Sequence, residues 1–225
     1  MNMFCCTEPD KREELQLELD PHSEFHKGET PAHRAAEHGH VEALQLLREA
    51  RADLAAKDEE GVTPALLAAL NNHADVLRLL QEAGVDLGAA KKDGRTPAHA
   101  AARKGHLQAL RLLSEARADL GCASHDGTTP AQLAAQGGHG EALQLLREAR
   151  ADLGRASHDG TTPAHMAAEH GHAQALQLLR EAKADLAAAD KEGVTPAILA
   201  AANGSADVLR LLQEAMACRI LRSIR

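Results

Sequence analysis

Residues 28–60 read GETPAHRAAEHGHVEALQLLREARADLAAKDEE, and the same pattern returns along the rest of the chain. Each return begins with a glycine, and Thr-Pro follows two residues later. The glycines stand 33 residues apart, at Gly28, Gly61, Gly94, Gly127, Gly160 and Gly193. A fixed period of this length is typical of an array in which each unit packs only on its neighbours. The period therefore predicts a stacked repeat protein and favours a binding function over catalysis.

The start of each unit predicts a short helix. Thr30 caps free backbone N–H groups through its hydroxyl, and Pro31 fits the first helical position because its missing N–H is not needed there. This helix should run from Pro31 to about His38. It should end at Gly39, because glycine readily adopts the left-handed conformation of a helix cap.

A second helix and a projecting turn complete the unit. The spacing predicts a helix from about Val41 to Ala50, with one buried face formed by Ala43, Leu44, Leu47 and Ala50. The polar residues 57–60 then lead to Gly61 and predict an extended turn, or finger. One helix pair cannot bury its own apolar face, so the units must stack.

At these residues the chain resembles a known family. The string GETPAHRAAEHGHVEALQLLREARADLAAKD resembles the ankyrin repeat, whose pattern is G-x-T-P-L-H-x-A-A-x-x-G-H-x-x-x-V-x-x-L-L-x-x-G-A-D. The resemblance implies an all-α, ankyrin-type solenoid of stacked helix-turn-helix repeats with protruding finger turns, and in most members protein–protein recognition. The predicted units are 28–60, 61–93, 94–126, 127–159, 160–192 and a truncated 193–215.

The units depart from the family pattern at several positions, and two of these departures matter here. The histidine after Thr-Pro-x persists only as His33, His99 and His165. The glycine that precedes Ala-Asp in the family pattern is kept only as Gly84, which here precedes Val-Asp. The equivalent residues of other units are Arg51, Arg117, Arg150 and Lys183. A further histidine column, His40, His106, His139 and His172, occupies the family's Gly-His junction, where we expect structural hydrogen bonds.

A longer period of 132 residues is superimposed on the 33-residue period. The strings AEHGH, ALQLLREA and ADLAA of the first unit return 132 residues later in the fifth, and the sixth unit copies much of the second. Duplication of multi-unit blocks explains this identity. A partner that is itself repetitive and a duplication without functional consequence both remain open.

Composition and charge exclude several classes of protein. The net charge of −8 disfavours general nucleic-acid binding, which needs a basic surface. The absence of Trp and Tyr predicts a core of closely packed small side chains. No run approaches the length of a membrane span, and no apolar stretch of signal-peptide length begins the chain. Four cysteines without disulfide-framework spacing indicate a reducing compartment, so we expect a soluble cytoplasmic protein, with the nucleus left open.

The two ends of the chain do not fit a full unit. We expect residues 1–27 to form a tail, a polar capping segment and a degenerate finger. Residues 216–225 interleave Ile and Leu with Arg. We expect this stretch to extend or cover the last helix, although a basic amphipathic extension toward a membrane surface or an acidic partner is the alternative.

The sequence predicts no catalytic, cofactor or metal site. Fourteen histidines include two H-x-H pairs, but a zinc site needs four converging ligands and the local pattern does not supply them. No Ser/His/Asp or Cys/His arrangement has a context that would activate a nucleophile. A metal-dependent enzyme is therefore a hypothesis that only bound metal in purified protein would revive.

The resemblance implies a partner surface on the fingers and the outer end of each first helix. The most individual part is a basic cluster at residues 91–104, which leads into and includes the third unit, beside an acidic finger at residues 58–60, with histidines on two later fingers. The candidate residues are Lys91, Lys92, Arg95, Arg103, Lys104, Glu59, Glu60, His125 and His158. We expect a monomeric, non-catalytic interaction module or scaffold for a protein partner. The alternative is the regulatory portion of a larger signalling protein or enzyme.

Overall fold

Helices form the whole of the described architecture. The structure is a computed structural model that describes the backbone of residues 28–223 and the side chains of residues 28–215. Six inner helices are α1 (Pro31–His38), α3 (Pro64–Leu70), α5 (Pro97–Lys104), α7 (Pro130–Gln136), α9 (Pro163–Glu169) and α11 (Pro196–Ala202). Six outer helices are α2 (Val41–Glu49), α4 (Ala74–Glu82), α6 (Leu107–Glu115), α8 (Gly140–Glu148), α10 (Ala173–Glu181) and α12 (Ala206–Ser223). Within residues 28–223 there is no β-strand, so the predicted all-α, helix-turn-helix architecture is confirmed.

The start of α3 and the end of α1 follow the predicted reasons. Thr63 has an extended backbone, and its hydroxyl accepts a hydrogen bond from the N–H of Leu66 at 3.2 Å. At the other end of α1, Gly39 follows His38 with a φ of 75°, which is the left-handed cap expected of glycine. One detail was wrong, because α2 ends at Glu49 and Ala50 beyond it is exposed rather than buried.

Small side chains let the helix pairs stack closely. Inner helices pack on neighbouring inner helices, and outer helices pack on neighbouring outer helices. The inner layer contributes fully buried alanines such as Ala68 and Ala69. The outer layer contributes fully buried leucines such as Leu77 and Leu80. Because alanine has nothing beyond Cβ, the inner helices approach each other without large side chains to fill a gap, as the composition predicted.

Four basic residues hold an unusual backbone conformation after the outer helices. Arg51, Arg117, Arg150 and Lys183 have φ angles of 58°, 60°, 62° and 63°. The equivalent residue of the second unit is Gly84, with a φ of 77°. A left-handed backbone costs an L-residue about 1–2 kcal/mol, because Cβ crowds the following carbonyl. The departures from the family glycine therefore carry local strain.

The two ends differ in how much is described. Residues 1–27, with the expected cap and degenerate finger, lie outside the described residues. At the other end, α12 continues as one helix to Ser223, twice as long as α10. Of the helices within residues 28–223, none combines the length and apolar character needed to cross a bilayer.

Candidate functional site

Each finger is a tight turn closed by its own backbone. In the first described finger, the N–H of Asp58 donates to the carbonyl of Val62 at 3.0 Å, and the N–H of Gly61 donates back to the carbonyl of Asp58 at 3.0 Å. The fingers at residues 91–95, 124–128, 157–161 and 190–194 repeat both bonds. Two backbone hydrogen bonds therefore close each of the described fingers.

Neighbouring fingers are also joined to each other. The N–H of Lys92 donates to the carbonyl of Glu60 in the preceding finger at 3.0 Å. The same bond recurs through the N–H groups of His125, His158 and Lys191. The glycines permit this approach, because a Cβ on Gly94 would lie 2.8 Å from the backbone nitrogen of His125. The fingertips consequently form one continuous, preorganised edge.

Ion pairs occupy part of the basic cluster in the third unit. Lys91 Nζ lies 2.7 Å from Asp93 Oδ2, and Arg95 Nε lies 3.8 Å from the same oxygen. The Arg95 guanidinium also reaches Asp126 Oδ2 of the next finger at 3.9 Å. Burial acts to raise the pKa of Asp93, but the hydrogen bond from Lys91 and the N–H of Arg95 outweigh it and hold that pKa below its usual value. Lys91 therefore stabilises its own finger, and Arg95 also joins that finger to the next one.

Three cations of the basic cluster are exposed to solvent. Lys92, Arg103 and Lys104 are exposed, and none of them makes an ion pair with another residue of the described part. Lys92 lies at the fingertip, whereas Arg103 and Lys104 form the last turn of α5. Beside them, Glu59 and Glu60 are exposed on the preceding finger.

Two later fingers share an arrangement of hydrogen bonds around an aspartate carboxylate. The hydroxyl of Ser124 and the N–H of Thr128 both donate to Asp126 Oδ1, and these bonds, the Ser124 hydroxyl first, hold the pKa of Asp126 well below its usual range. Asp159 receives the matching bonds from Ser157 and Thr161. The turn is thus fixed by an anionic carboxylate. His125 and His158 are exposed on these two fingers.

A first set of buried polar side chains links four of the units to the unit that follows each of them. His99 Nδ1 accepts from the N–H of Thr96 at 3.2 Å, and its Nε2 donates to the carbonyl of Thr128 at 3.0 Å. His33 and His165 make the same two contacts in the first and fifth units. Gln132 does so in the fourth, since its carbonyl oxygen accepts from Thr129 and its amide donates to Thr161. The expected structural role of these histidines is confirmed.

A second set, made of histidines, links a unit to the one that precedes it. His106 Nε2 donates to the carbonyl of Leu70 in the preceding unit at 3.0 Å, and burial lowers the pKa of His106. His139 and His172 make the equivalent bonds to Arg103 and Gln136. The sequence reasoning missed His73, which donates to the carbonyl of Glu37 at 2.9 Å. It stands in the same 33-residue register as His40, although Asn precedes it where the pattern has Gly.

The family follows from a comparison with known sequences. The family model described as "Ankyrin repeats (3 copies)" matches residues 3–91, 83–157 and 149–222. These three matches cover nearly the whole chain. The protein belongs to the ankyrin-repeat family. A search of curated protein sequences finds no match.

Membership of the family sets a general function. Ankyrin repeats are generally protein-interaction modules, and their fold is typically non-catalytic. In this ankyrin array, the exposed candidates for a contact are those of the finger edge and the end of α5. A groove of about 460 Å³ on the outer helices, lined by Asp75, Arg78, Arg111 and Glu115, contains none of the candidate residues.

Cys122 and two pairs of histidines are the remaining reactive side chains considered in the described part of the chain. Cys122 Sγ lies 3.3 Å from the Thr96 hydroxyl, and burial raises the pKa of the thiol. The His38 and His40 rings lie 5.8 Å apart, and those of His170 and His172 lie 6.2 Å apart. In the described part of the chain, no three His, Cys, Asp or Glu side chains converge as metal ligands would.

Proposed function

We propose that this ankyrin-repeat chain is a non-catalytic interaction module or scaffold that binds a protein partner on its finger and first-helix surface. The observation that carries the proposal is the set of three exposed cations, Lys92, Arg103 and Lys104, on a chain of net charge −8. Glu59 and Glu60 add an exposed acidic patch on the adjacent finger. Neighbouring charges of opposite sign favour a partner with a matching pattern, chiefly through specificity and association rate.

The finger edge supports this proposal because it is rigid before binding. Hydrogen bonds close each finger and join it to the next. Arg95 adds an ion pair across two fingers. A preorganised surface loses little conformational freedom on binding, so more of the contact energy contributes to affinity. With no Trp or Tyr to act as an anchor, we propose moderate affinity.

Two further parts of the proposal rest on the sequence. We place the protein in the cytoplasm, or in the nucleus, because its cysteine spacing suits a reducing compartment. The same surface would serve if the chain were the regulatory portion of a larger signalling protein or enzyme, since the fingers do not depend on what is attached to either end.

Affinity capture from a cell lysate tests the surface directly. The triple variant Lys92→Glu, Arg103→Glu, Lys104→Glu reverses the exposed cations and leaves Arg95, which holds two fingers together, in place. The matched control Arg117→Glu, Arg150→Glu, Lys183→Glu makes the same charge change at exposed positions after the outer helices. We expect the first variant to lose the partner that wild type captures and the control to keep it. Equal capture by both variants would remove the third unit from the interface.

A further inference from the structure

Three successive units carry an exposed cation in a left-handed turn that follows an outer helix. The residues of this cation row are Arg117, Arg150 and Lys183. In the third unit, the N–H of Arg117 donates to the carbonyl of Ser114 at 3.0 Å, and the N–H of the next residue donates to the carbonyl of Leu113 at 2.9 Å. The turns of the fourth and fifth units repeat both bonds. Backbone groups alone therefore close each turn.

The second unit shows that this turn does not need a cation. Gly84 occupies the same position, and its N–H donates to the carbonyl of Gln81 at 2.9 Å. A Cβ added to Gly84 would have no atom within 4 Å, so a side chain at this position would have nothing to pack against. A cation near a helix C-terminus gains from the helix dipole, but typically less than a left-handed backbone costs an L-residue. The fold by itself therefore favours glycine at the three positions of the row.

The charges of the row are not used inside the array. Arg117, Arg150 and Lys183 are exposed, and none of them makes an ion pair within residues 28–215. Non-glycine residues in strained backbone conformations cluster at binding and catalytic sites. Exposed charge and backbone strain at the same three positions therefore point to an interaction with an anionic partner.

Acidic residues separate the cations from one another. Each cation has an exposed glutamate two residues before it and an exposed aspartate two residues after it, as Arg150 lies between Glu148 and Asp152. A continuous polyanion such as a nucleic acid would bring its charges against these carboxylates too, and like charges in contact are unfavourable. The row therefore fits a partner whose negative charges are spaced, with one for each unit.

The stacking of the outer helices sets the spacing of the row. The helices α6, α8 and α10 pack in succession, and packed helices lie about 8–10 Å apart. A polyproline II helix has about three residues per turn and rises about 3.1 Å per residue, so the residues on one face recur about every 9 Å. In a β-strand the residues on one face recur about every 6.6 Å, which does not match. The polyproline II conformation therefore places one side chain opposite each cation.

We propose that the cation row binds an acidic segment of a partner protein, held in the polyproline II conformation with a carboxylate at every third residue. Arg117, Arg150 and Lys183 each pair with one carboxylate. Such a segment is largely extended before it binds, so it loses little conformational freedom. Exposed ion pairs contribute little each, so the binding is weak and decreases as salt is added. The row lies at the ends of the outer helices, and the proposal does not depend on the finger surface.

NMR titration with synthetic peptides at low salt tests this inference. The probe is a peptide of Glu-Pro-Pro repeats, and the comparison peptide has the same composition with its glutamates in one block. We expect the probe to shift the amide signals of residues 117–118, 150–151 and 183–184 and to bind more tightly than the block peptide. The variant Arg117→Gly, Arg150→Gly, Lys183→Gly should bind the probe at least about tenfold more weakly, because it loses three exposed ion pairs. Its thermal midpoint should not fall below that of wild type, since Gly84 forms the same turn.

Two further variants are the controls. Arg48→Gln, Arg78→Gln, Arg111→Gln makes the same change in net charge at exposed positions of α2, α4 and α6. It should bind the probe as wild type does. Arg117→Lys, Arg150→Lys keeps the charges of the row and should also bind, because the third member of the row is already a lysine.

Several results would overturn the proposal. They are a probe that leaves the signals of the row unchanged, shifts confined to residues 91–104, a block peptide that binds as well as the probe, and a glycine variant that binds as wild type does. A glycine variant less stable than wild type would assign the cations to the fold instead. Tighter binding of an oligonucleotide of matched charge would replace the acidic segment with a phosphate polyanion. None of these results bears on the finger surface, which the capture experiment tests separately.

Discussion

His99 Nε2 lies 3.0 Å from the carbonyl oxygen of Thr128, 29 residues further along the chain. The donor belongs to the third unit and the acceptor to the finger of the fourth. The other ring nitrogen accepts from the N–H of Thr96, so one buried imidazole both caps a helix and holds two units in register. This requires the neutral ring, with its proton on Nε2.

Replacing His99 tests the value of that bridge. Gln132 makes the same two contacts in the fourth unit, so His99→Gln should leave stability nearly unchanged. His99→Leu should lower the free energy of unfolding by about 1–3 kcal/mol, because buried polar groups of Thr96 and Thr128 lose a partner. Urea unfolding followed by circular dichroism measures both. Equal stability of the Leu and Gln variants would show that the bridge contributes nothing.

The same histidine predicts a loss of stability in acid. Burial lowers the pKa of His99, and nearby Arg95 acts in the same direction against the opposing effects of the Thr128 carbonyl, Asp93 and Asp126. As pH falls below about 6.5, His99 binds a proton in the unfolded chain but not in the folded chain. The free energy of unfolding therefore decreases until the pH passes the pKa of His99 in the folded chain. Above about pH 7 this contribution is complete. Urea midpoints of wild type and His99→Gln should be similar at about pH 8 and should separate toward about pH 5, where wild type becomes the less stable of the two. A constant difference would contradict the shift.

Relieving the left-handed strain should stabilise the array. Arg117→Gly removes the Cβ clash at a φ of 60° but adds freedom to the unfolded chain, so we expect a gain of about 0.5–1 kcal/mol. Arg111→Gly, at an exposed position inside α6, should instead cost about 1 kcal/mol. Thermal unfolding of the two variants provides the comparison. If both variants are less stable than wild type, the Arg117 side chain stabilises the fold by more than its left-handed backbone destabilises it.

Alanine substitutions at two fingertip glycines measure the effect of close packing separately from the effect of backbone conformation. Gly94 and Gly193 have φ angles of 83° and 80°, so alanine is strained at either. Only at Gly94 would the new Cβ meet a neighbour, the backbone nitrogen of His125 at 2.8 Å. Gly94→Ala should therefore destabilise by about 1–3 kcal/mol more than Gly193→Ala, the usual cost of overpacking. Similar losses in urea unfolding would show that the fingers do not pack as described.

The local structure could be predicted from the sequence because its causes are local. Thr-Pro starts each inner helix, and the end of α1 at His38 followed from Gly39. The function of individual cations could not be predicted in the same way. Arg95 meets Asp126 only because two fingers stack, and nothing in the sequence spacing marks that pair. His73 could have been recognised from its register with His40, but the Asn before it hid the pattern.

Hydrogen–deuterium exchange of the protein alone and with its captured partner tests the central claim most directly. Exchange reports which backbone N–H groups a contact protects. The proposed surface predicts added protection at residues 91–95 and at the end of α5, around Arg103 and Lys104, with little change in α4 and α6. Protection confined to those outer helices, with the fingers unchanged, would contradict it.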